Sequence, residues 1–306
     1  MEFLYLLENI RNVVLDKIML GVTFLGEEIP FMVIGMLLLW CVDKFEGYYM
    51  LSVGFVGTQI NQLLKVVFRI PRPWVKDPEF KPVGSAIKEA TGYSFPSGHT
   101  QSATGNFGTI ALWGKKNWLR IVMVVLIVLV AFSRMYLGVH TPLDVGVSLF
   151  VAAVLVFGFY PIIKKGKDNP KVMYALFSGM IAFSLAVVLF MEFYYKFPED
   201  AIGEELLHGL KTTYKMFGAS VGFLVAYHLD RVYIKYDTKA IWWAQIIKVV
   251  LGLALSLGVK ELCYFVFGII PGETINRALS YFVMVIFAGA VWPLTFKFFN
   301  KLGGKK

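Results

Sequence analysis

Apolar residues run through most of the chain in long segments broken by short charged connections. Nine such segments stand out, roughly 29–42, 47–68, 99–114, 118–136, 142–163, 172–194, 212–229, 241–269 and 278–298. Runs near ~20 residues match the hydrocarbon thickness that one helix must cross. Several are shorter, and short spans are accommodated by local thinning of the bilayer. Residues 3–25 follow another pattern. Leu4, Leu7, Ile10, Val14 and Ile18 recur at helical spacing against Glu8, Arg11, Asp16 and Lys17. That alternation predicts one amphipathic helix lying at the membrane interface, with a helix packed against the bundle as the equal alternative.

Composition supports hydrocarbon as the solvent. The 306 residues are 57% hydrophobic, 16% aromatic and 17% charged, with a mean hydropathy of +0.64. Soluble domains carry about 25% charge and about 45–50% apolar residues. A disordered chain, a nucleic-acid-binding tail and an ordinary cytosolic enzyme are thereby excluded. No basic n-region opens the chain, and charges interrupt its first residues, so no signal peptide is expected. Cys41 and Cys263 lie in apolar stretches outside any metal-ligand spacing and read as two buried thiols.

The net charge of +9 divides by position. Lys115, Lys116 and Arg120, then Lys164, Lys165, Lys167 and Lys171, then Arg231, Lys235 and Lys239, and finally Lys297, Lys301, Lys305 and Lys306 fill alternate connections and the tail. The positive-inside rule assigns these to the cytoplasm. The opposite connections hold Glu79, Glu89, Glu192, Glu199, Asp200, Glu204, Glu205 and Glu273. Nine spans then put the N-terminus outside and the C-terminus inside. A nucleic-acid partner is not expected.

Residues 69–98 form the longest connection, on the outer side, and long loops are usually functional. Around it three clusters gather chemistry. Lys65 sits near the outer end of an apolar helix, where a charge is expensive, and Arg72 follows just past that end, before Pro73. Arg69 fits a snorkelling anchor. In Ser94-Phe95-Pro96-Ser97-Gly98-His99, a helix begins at Ser97 or Gly98, so free backbone N–H groups offer an anion site with His99 beside it. In Ser133-Arg134-x5-His140-x3-Asp144, Asp144 can reach back to the imidazole, fixing its tautomer and raising the basicity of the other nitrogen. Arg134 adds a planar donor fork suited to phosphoryl oxygens. Alone, each cluster has a structural alternative: an interfacial anchor, a helix cap, a His–Asp pair.

Together the strings Lys65-x6-Arg72-Pro73, Pro96-Ser97-Gly98-His99 and Ser133-Arg134-x5-His140-x3-Asp144 resemble the signature of the type 2 phosphatidic acid phosphatase superfamily, with no departure at any signature position. The resemblance covers roughly residues 29–163. It implies an all-α, polytopic membrane helical bundle whose core is shared with vanadium haloperoxidases. It further implies that His140 is the nucleophile of a phosphohistidine intermediate, that Asp144 orients it, and that His99 is the general acid. Lys65, Arg72 and Arg134, with Ser97 and the Gly98 backbone N–H, would bind the phosphate. No metal site and no cofactor are expected.

Three parts follow: residues 1–28 as the interfacial helix, 29–163 as the phosphatase core, and 164–306 as additional transmembrane helices. That extension looks like the sphingolipid-phosphate phosphatase branch, and packing or a homodimer is its default purpose. The expected function is hydrolysis of a lipid phosphomonoester or diphosphate at the outer face of a bacterial cytoplasmic membrane. The substrate would be an isoprenoid diphosphate, a phosphatidate-type lipid or a sphingoid phosphate. A lipid phosphotransferase is the alternative, and a transporter or scaffold keeping the fold a third. Trp74, Tyr93, Phe95 and Tyr136 would line a sideways access route or form an aromatic belt. His208 reads as a solvated loop residue, and His228 and Asp230 as a cytoplasmic helix end. Lys248, Lys260 and Glu261 fall within or near apolar helices, and adjacent Lys260 and Glu261 should not face each other.

Overall fold

The computed structural model describes residues 1–302 apart from 89, 91 and 195–200, and residues 194 and 201–206 by their backbone alone. Glu89, Glu199, Asp200, Lys305 and Lys306 lie outside the described residues, as do the side chains of Glu204 and Glu205. The fold is all-α, with no strand among the described residues. In chain order the helices are α1 (Glu2–Asn9), α2 (Val13–Phe24), α3 (Glu28–Leu37), α4 (Lys44–Phe68), α5 (Pro73–Lys76), α6 (Gly84–Ile87), α7 (Gly98–Trp113), α8 (Asn117–Tyr136), α9 (Pro142–Asp168), α10 (Pro170–Leu189), α11 (Ala201–Leu229), α12 (Trp242–Phe267), α13 (Glu273–Ile286) and α14 (Phe296–Lys301).

Among the described residues six stretches are long and apolar enough to cross a membrane: Lys44–Lys76, Asn117–Tyr136, Pro142–Asp168, Pro170–Phe193, Trp242–Phe267 and Glu273–Lys301. Val13–Phe24 and Glu28–Val42 together make a seventh if they form one broken span. This differs from the expected pattern: of the nine segments, 29–42, 99–114 and 212–229 do not qualify by themselves among the described residues, and residues 3–25 do not make one helix. Residues 3–25 form two helices rather than one, because the Asn12 side chain accepts from Val14 N and Leu15 N and starts a new helix there. The segment 99–114 becomes a helix of 16 residues, about 24 Å long at 1.5 Å per residue. Its buried face is polar (Thr100, Gln101, Thr104, Asn106 and Thr109), so it is held by neighbouring protein rather than by hydrocarbon.

The chain divides into two compact units, residues 1–32, 56–160 and 197–209 in the first, and 33–55, 161–196 and 210–306 in the second. In the first unit, α7 and α8 pair as an antiparallel hairpin, and α2 lies along α8. In the second, α11 presents Gly218, Gly222 and Ala226 at four-residue spacing. A Cβ on Gly218 would strike the Ala278 carbonyl, and one on Gly222 would lie 2.7 Å from the Phe282 carbonyl. Such small-residue stripes let helix backbones approach closely where no hydrophobic force drives them together. Tyr48, Phe177, Phe223 and Tyr227 pack edge to face around this crossing.

The second unit also settles several polar residues. Lys248 is fully buried; its ammonium donates to the carbonyls of Trp40 (3.0 Å) and Thr238 (3.2 Å) and lies over the Phe296 ring. Trp40 sits in a wide π turn, Leu38–Val42, so the lysine satisfies a carbonyl there. Asp230 is buried and pairs with Lys44 at 2.7 Å. His228 is exposed and bonds the Tyr174 hydroxyl at 2.8 Å. His208, which belongs to the first unit, is exposed, but within α11 rather than in a loop. Lys260 and Glu261 do meet, at 2.8 Å. Their Cβ atoms diverge, yet two long side chains at the surface wrap around the helix to each other. Cys41 and Cys263 are free thiols and half-buried rather than buried.

Candidate active site

The site is assembled by four helix termini and one loop, all in the first unit. Helix α8 ends in a Schellman motif: Gly138 N donates to Met135 O (3.0 Å) and Val139 N to Arg134 O (3.2 Å). Gly138 has φ +76, a conformation that glycine adopts without strain. A Cβ there would also lie 2.8 Å from the Phe80 ring. The motif folds the chain back so that His140 N reaches the Arg134 carbonyl at 3.3 Å. Arg134 and His140 are therefore neighbours although five residues separate them in sequence.

Helix α9 starts immediately afterwards with a capping box. Thr141 Oγ1 accepts from Asp144 N at 3.3 Å, and Asp144 Oδ2 accepts from Thr141 N at 2.7 Å. Pro142 at the first helical position loses no hydrogen bond. The same carboxylate oxygen accepts from Ser94 Oγ at 2.5 Å and stands 3.6 Å from His140 Nδ1. The carboxylate is thus fixed by two donors before it faces the imidazole. Helix α7 opens opposite. Ser97 caps it, its Oγ accepting from Thr100 Oγ1 (3.0 Å) and Thr100 N (3.4 Å). Ser97 N in turn donates to Asp144 O at 3.2 Å, and Ser148 Oγ donates to both Ser97 O and Asp144 O. The two helix starts are stitched to each other, with Gly98 and His99 in the first turn of α7. Asn61 on α4 donates to Pro96 O at 3.4 Å.

The cations converge on this point. Arg72 is buried, with Nε donating to Gly92 O and Nη1 to Val139 O, each at 2.9 Å. Its Nη1 lies 3.1 Å from His140 Nε2. Arg134 is 1% exposed and donates from Nη1 to Thr23 Oγ1 at 2.7 Å. Lys65, in the last turn of α4, is half-buried and contributes to the positive potential at both histidines. Burial, and then Arg72, Arg134 and Lys65 around it, hold the His140 imidazole well below the ordinary histidine value of 6.5. It is therefore neutral, with a lone pair to offer. The buried polar atoms here that lack a hydrogen-bond partner include His99 Nε2, His140 Nδ1 and Asp144 Oδ1. Such groups are rare in a folded interior and costly.

Every residue expected at the site from sequence is brought to this one place. Sequence reasoning assigned no role to Ser94, Thr141 or Asn61. The Thr-Pro-x-Asp pattern of 141–144 carries a readable capping signal, whereas Ser94 and Asn61 carry none. Of the aromatic residues expected at an access route, Phe95 and Tyr136 are buried inside the protein. Trp74 is half-buried with its ring 5.9 Å from the Arg72 guanidinium, and Tyr93 is half-buried. Among the described residues no group of three or more His, Cys, Asp or Glu gathers to hold a metal ion.

Several known proteins are similar to this chain. Undecaprenyl-diphosphatase BcrC of Bacillus subtilis (strain 168) is 32% identical over 154 residues, covering 49% of this chain and 76% of the relative. Phosphatidylglycerophosphatase B of the same strain is 33% identical over 178 residues, covering 52% and 82%. Sphingosine-1-phosphate phosphatase 1 of Rattus norvegicus is 28% identical over 163 residues, but only 37% of its length is matched. No solved structure matches significantly. The PAP2 superfamily matches residues 46–168, and the PAP2 superfamily phosphatase transmembrane extension matches residues 214–305. With the apolar helices, the extension marks a multi-pass membrane protein. The three motifs, their convergence at one buried site and these matches together place the chain in the PAP2 superfamily of membrane phosphatases.

Proposed function

We propose that the protein hydrolyses a lipid phosphomonoester or diphosphate without a metal ion, at the outer face of a cytoplasmic membrane, through a phosphohistidine. The observation that carries this reading is the surroundings of His140: a neutral imidazole with Nε2 beside the Arg72 fork and Nδ1 toward a carboxylate held by two donors. His140 Nε2 attacks phosphorus as the bond to the leaving oxygen breaks, and the His99 imidazolium, charged once the anionic phosphate is bound beside it, gives that oxygen its proton and becomes neutral. Water then attacks the phosphohistidine, returns a proton to His99 and releases phosphate, leaving His140 as it began. Asp144 stabilises the imidazolium character that develops on His140. Arg72, Arg134, Lys65, Ser97 and the N–H groups opening α7 hold the equatorial oxygens, where phosphoryl transfer needs most of its stabilisation.

The outer face is supported by charge. The site lies at the end of the α7–α8 hairpin away from Lys115 and Lys116, which the positive-inside rule assigns to the cytoplasm. Lipid substrates are supported by the relatives, named for an undecaprenyl diphosphate, a phosphatidylglycerophosphate and a sphingosine phosphate.

The test is phosphate release by purified protein across isoprenoid diphosphates, phosphatidylglycerophosphate, phosphatidate and sphingosine phosphate, with and without a chelator. A water-soluble phosphate ester serves as control. Release from at least one lipid, undiminished by the chelator, is expected. Preference for the soluble ester, or activity restored only by a divalent metal, overturns the reading. Label moving from one lipid to another without free phosphate assigns a phosphotransferase instead.

A further inference from the structure

Helix α2 lies outside the region matched by the superfamily, and its pattern is inverted relative to a soluble helix. Val13, Val14, Ile18 and Phe24 are exposed, whereas Thr23, a hydroxyl residue, is 4% exposed. Asp16, seven residues earlier on the same face, accepts from the Tyr136 hydroxyl at 2.9 Å. Leu15, Met19 and Leu20 pack against Tyr136, Leu137 and Val139. The face that α2 turns inward is therefore fitted to the end of α8, the segment that carries Arg134 and leads to His140.

Two contacts reach the site itself. Thr23 Oγ1 accepts from Arg134 Nη1 at 2.7 Å. Three residues on, Gly26 closes the turn after α2, its N–H bonded to Thr23 O at 2.9 Å. A Cβ on Gly26 would lie 2.7 Å from the backbone oxygen of His99 and 3.0 Å from its Cβ. Real Cβ atoms do not come so close to backbone, so a glycine is required there. One turn of chain thus touches a phosphate-binding arginine through a hydroxyl and the acid-bearing helix start through a missing side chain.

We infer that Thr23 and Gly26 are positioning residues of the phosphate site: Thr23 fixes the plane of the Arg134 guanidinium, and Gly26 seats the first turn of α7 at His99. The inference rests on the reading above in which Arg134 binds phosphate and His99 is the acid. Removing one acceptor from a buried guanidinium loosens its orientation, and each misplaced charged hydrogen bond is costly.

The test uses the full-length protein in lipid nanodiscs, with inorganic phosphate as the probe, its affinity read by calorimetry, turnover on a lipid substrate, and melting temperature as the fold control. Thr23→Val keeps shape and removes the acceptor. It is expected to weaken phosphate binding about tenfold, whereas Thr23→Ser keeps it within about twofold, because the lost bond goes to a charged group. Gly26→Ala is expected to lower kcat about tenfold with a smaller change in phosphate affinity, the split expected when the acid rather than the cradle is displaced. If Thr23→Val does not accumulate, Thr23→Ala reads the same contact. Arg134→Ala separates the two levels. If it weakens phosphate binding while Thr23→Val leaves affinity and turnover unchanged, the positioning role is overturned. If Arg134→Ala itself leaves phosphate affinity unchanged, the phosphate-binding reading falls and takes this inference with it. Equal losses in Thr23→Val and Thr23→Ser also overturn it, since a merely structural site is not rescued by a hydroxyl.

Discussion

The two units place their buried cations in different company. In the second, two cations are met: Lys44 reaches Asp230 at 2.7 Å, and Lys248 donates to two carbonyls beneath an aromatic ring, while the unpartnered buried atoms Ser52 Oγ and Gln245 Oε1 are scattered. In the first, cations and imidazoles crowd one point, and His99 Nε2, His140 Nδ1 and Asp144 Oδ1 are buried without hydrogen-bond partners. A matched buried group stabilises a fold and does little else. An unmatched one costs stability and is kept where chemistry uses it. The contrast separates a unit built to hold from a unit built to react, and variants in each should fail differently.

The largest effect should come from the reacting unit. His140→Ala is expected to lower turnover by about 10⁴-fold or more, since residues acting as one catalytic set lose most of the rate together. Its melting temperature should change far less than its turnover, because Nδ1 has no hydrogen bond to lose and Arg72, which loses the contact with Nε2, keeps its bonds to Gly92 O and Val139 O. A folded variant with normal phosphate release breaks the comparison at its centre.

Next in size is the holding unit. Asp230→Ala strands Lys44 and removes the acceptor of Tyr236 N, 3.1 Å away. Removing one partner of a buried pair is strongly destabilising. Lys44 is partly solvated, so about 2 kcal/mol is expected here, below the full range for closed pairs. Chemical unfolding in detergent reads the loss, and kcat per folded molecule should stay at the wild-type value. A fall in kcat without a fall in stability would mean that the second unit takes part in the reaction.

Much of the contrast was legible in the sequence, and the gaps have physical causes. The spacing of His140 and Asp144 predicted their approach, and the helix start at Ser97 was readable because capping is local. The polar inner face of α7 was not readable, since an interior held by Gln101 and Asn106 looks like a short apolar run with interruptions. Thr23 was hidden for a related reason. In lipid, periodicity shows where the polar stripe lies but not which neighbour it meets. Lys260 and Glu261 were misjudged because the rule that adjacent residues diverge describes Cβ directions, not the reach of exposed side chains.

A smaller effect should appear in pH dependence. His140 attacks only when neutral, and burial together with Arg72, Arg134 and Lys65 lowers its pKa below 6.5. As pH falls through 6.5 the imidazole therefore stays unprotonated, and the acid limb of kcat/KM should have its midpoint below that value. Arg72→Gln removes a cation 3.1 Å away and should move the limb upward. Comparing both proteins on one substrate cancels the substrate's own ionisation. A limb that stays in place or moves downward would show that another group sets it.

The smallest effect tests whether charge matters in the second unit wherever it occurs or only where it is enclosed. Glu261 is 69% exposed and pairs with Lys260 at 2.8 Å, a shorter contact than many buried ones. Distance alone would rank this pair beside Lys44–Asp230. Solvation ranks it far below, because an exposed pair replaces hydration it already had and immobilises two long side chains to do so. Glu261→Gln should therefore change unfolding free energy by less than about 0.5 kcal/mol, as exposed pairs do, and leave turnover unchanged. A loss as large as that of Asp230→Ala would show that Glu261 lies in a closed environment, and that the second unit depends on its charges at the surface as well as within.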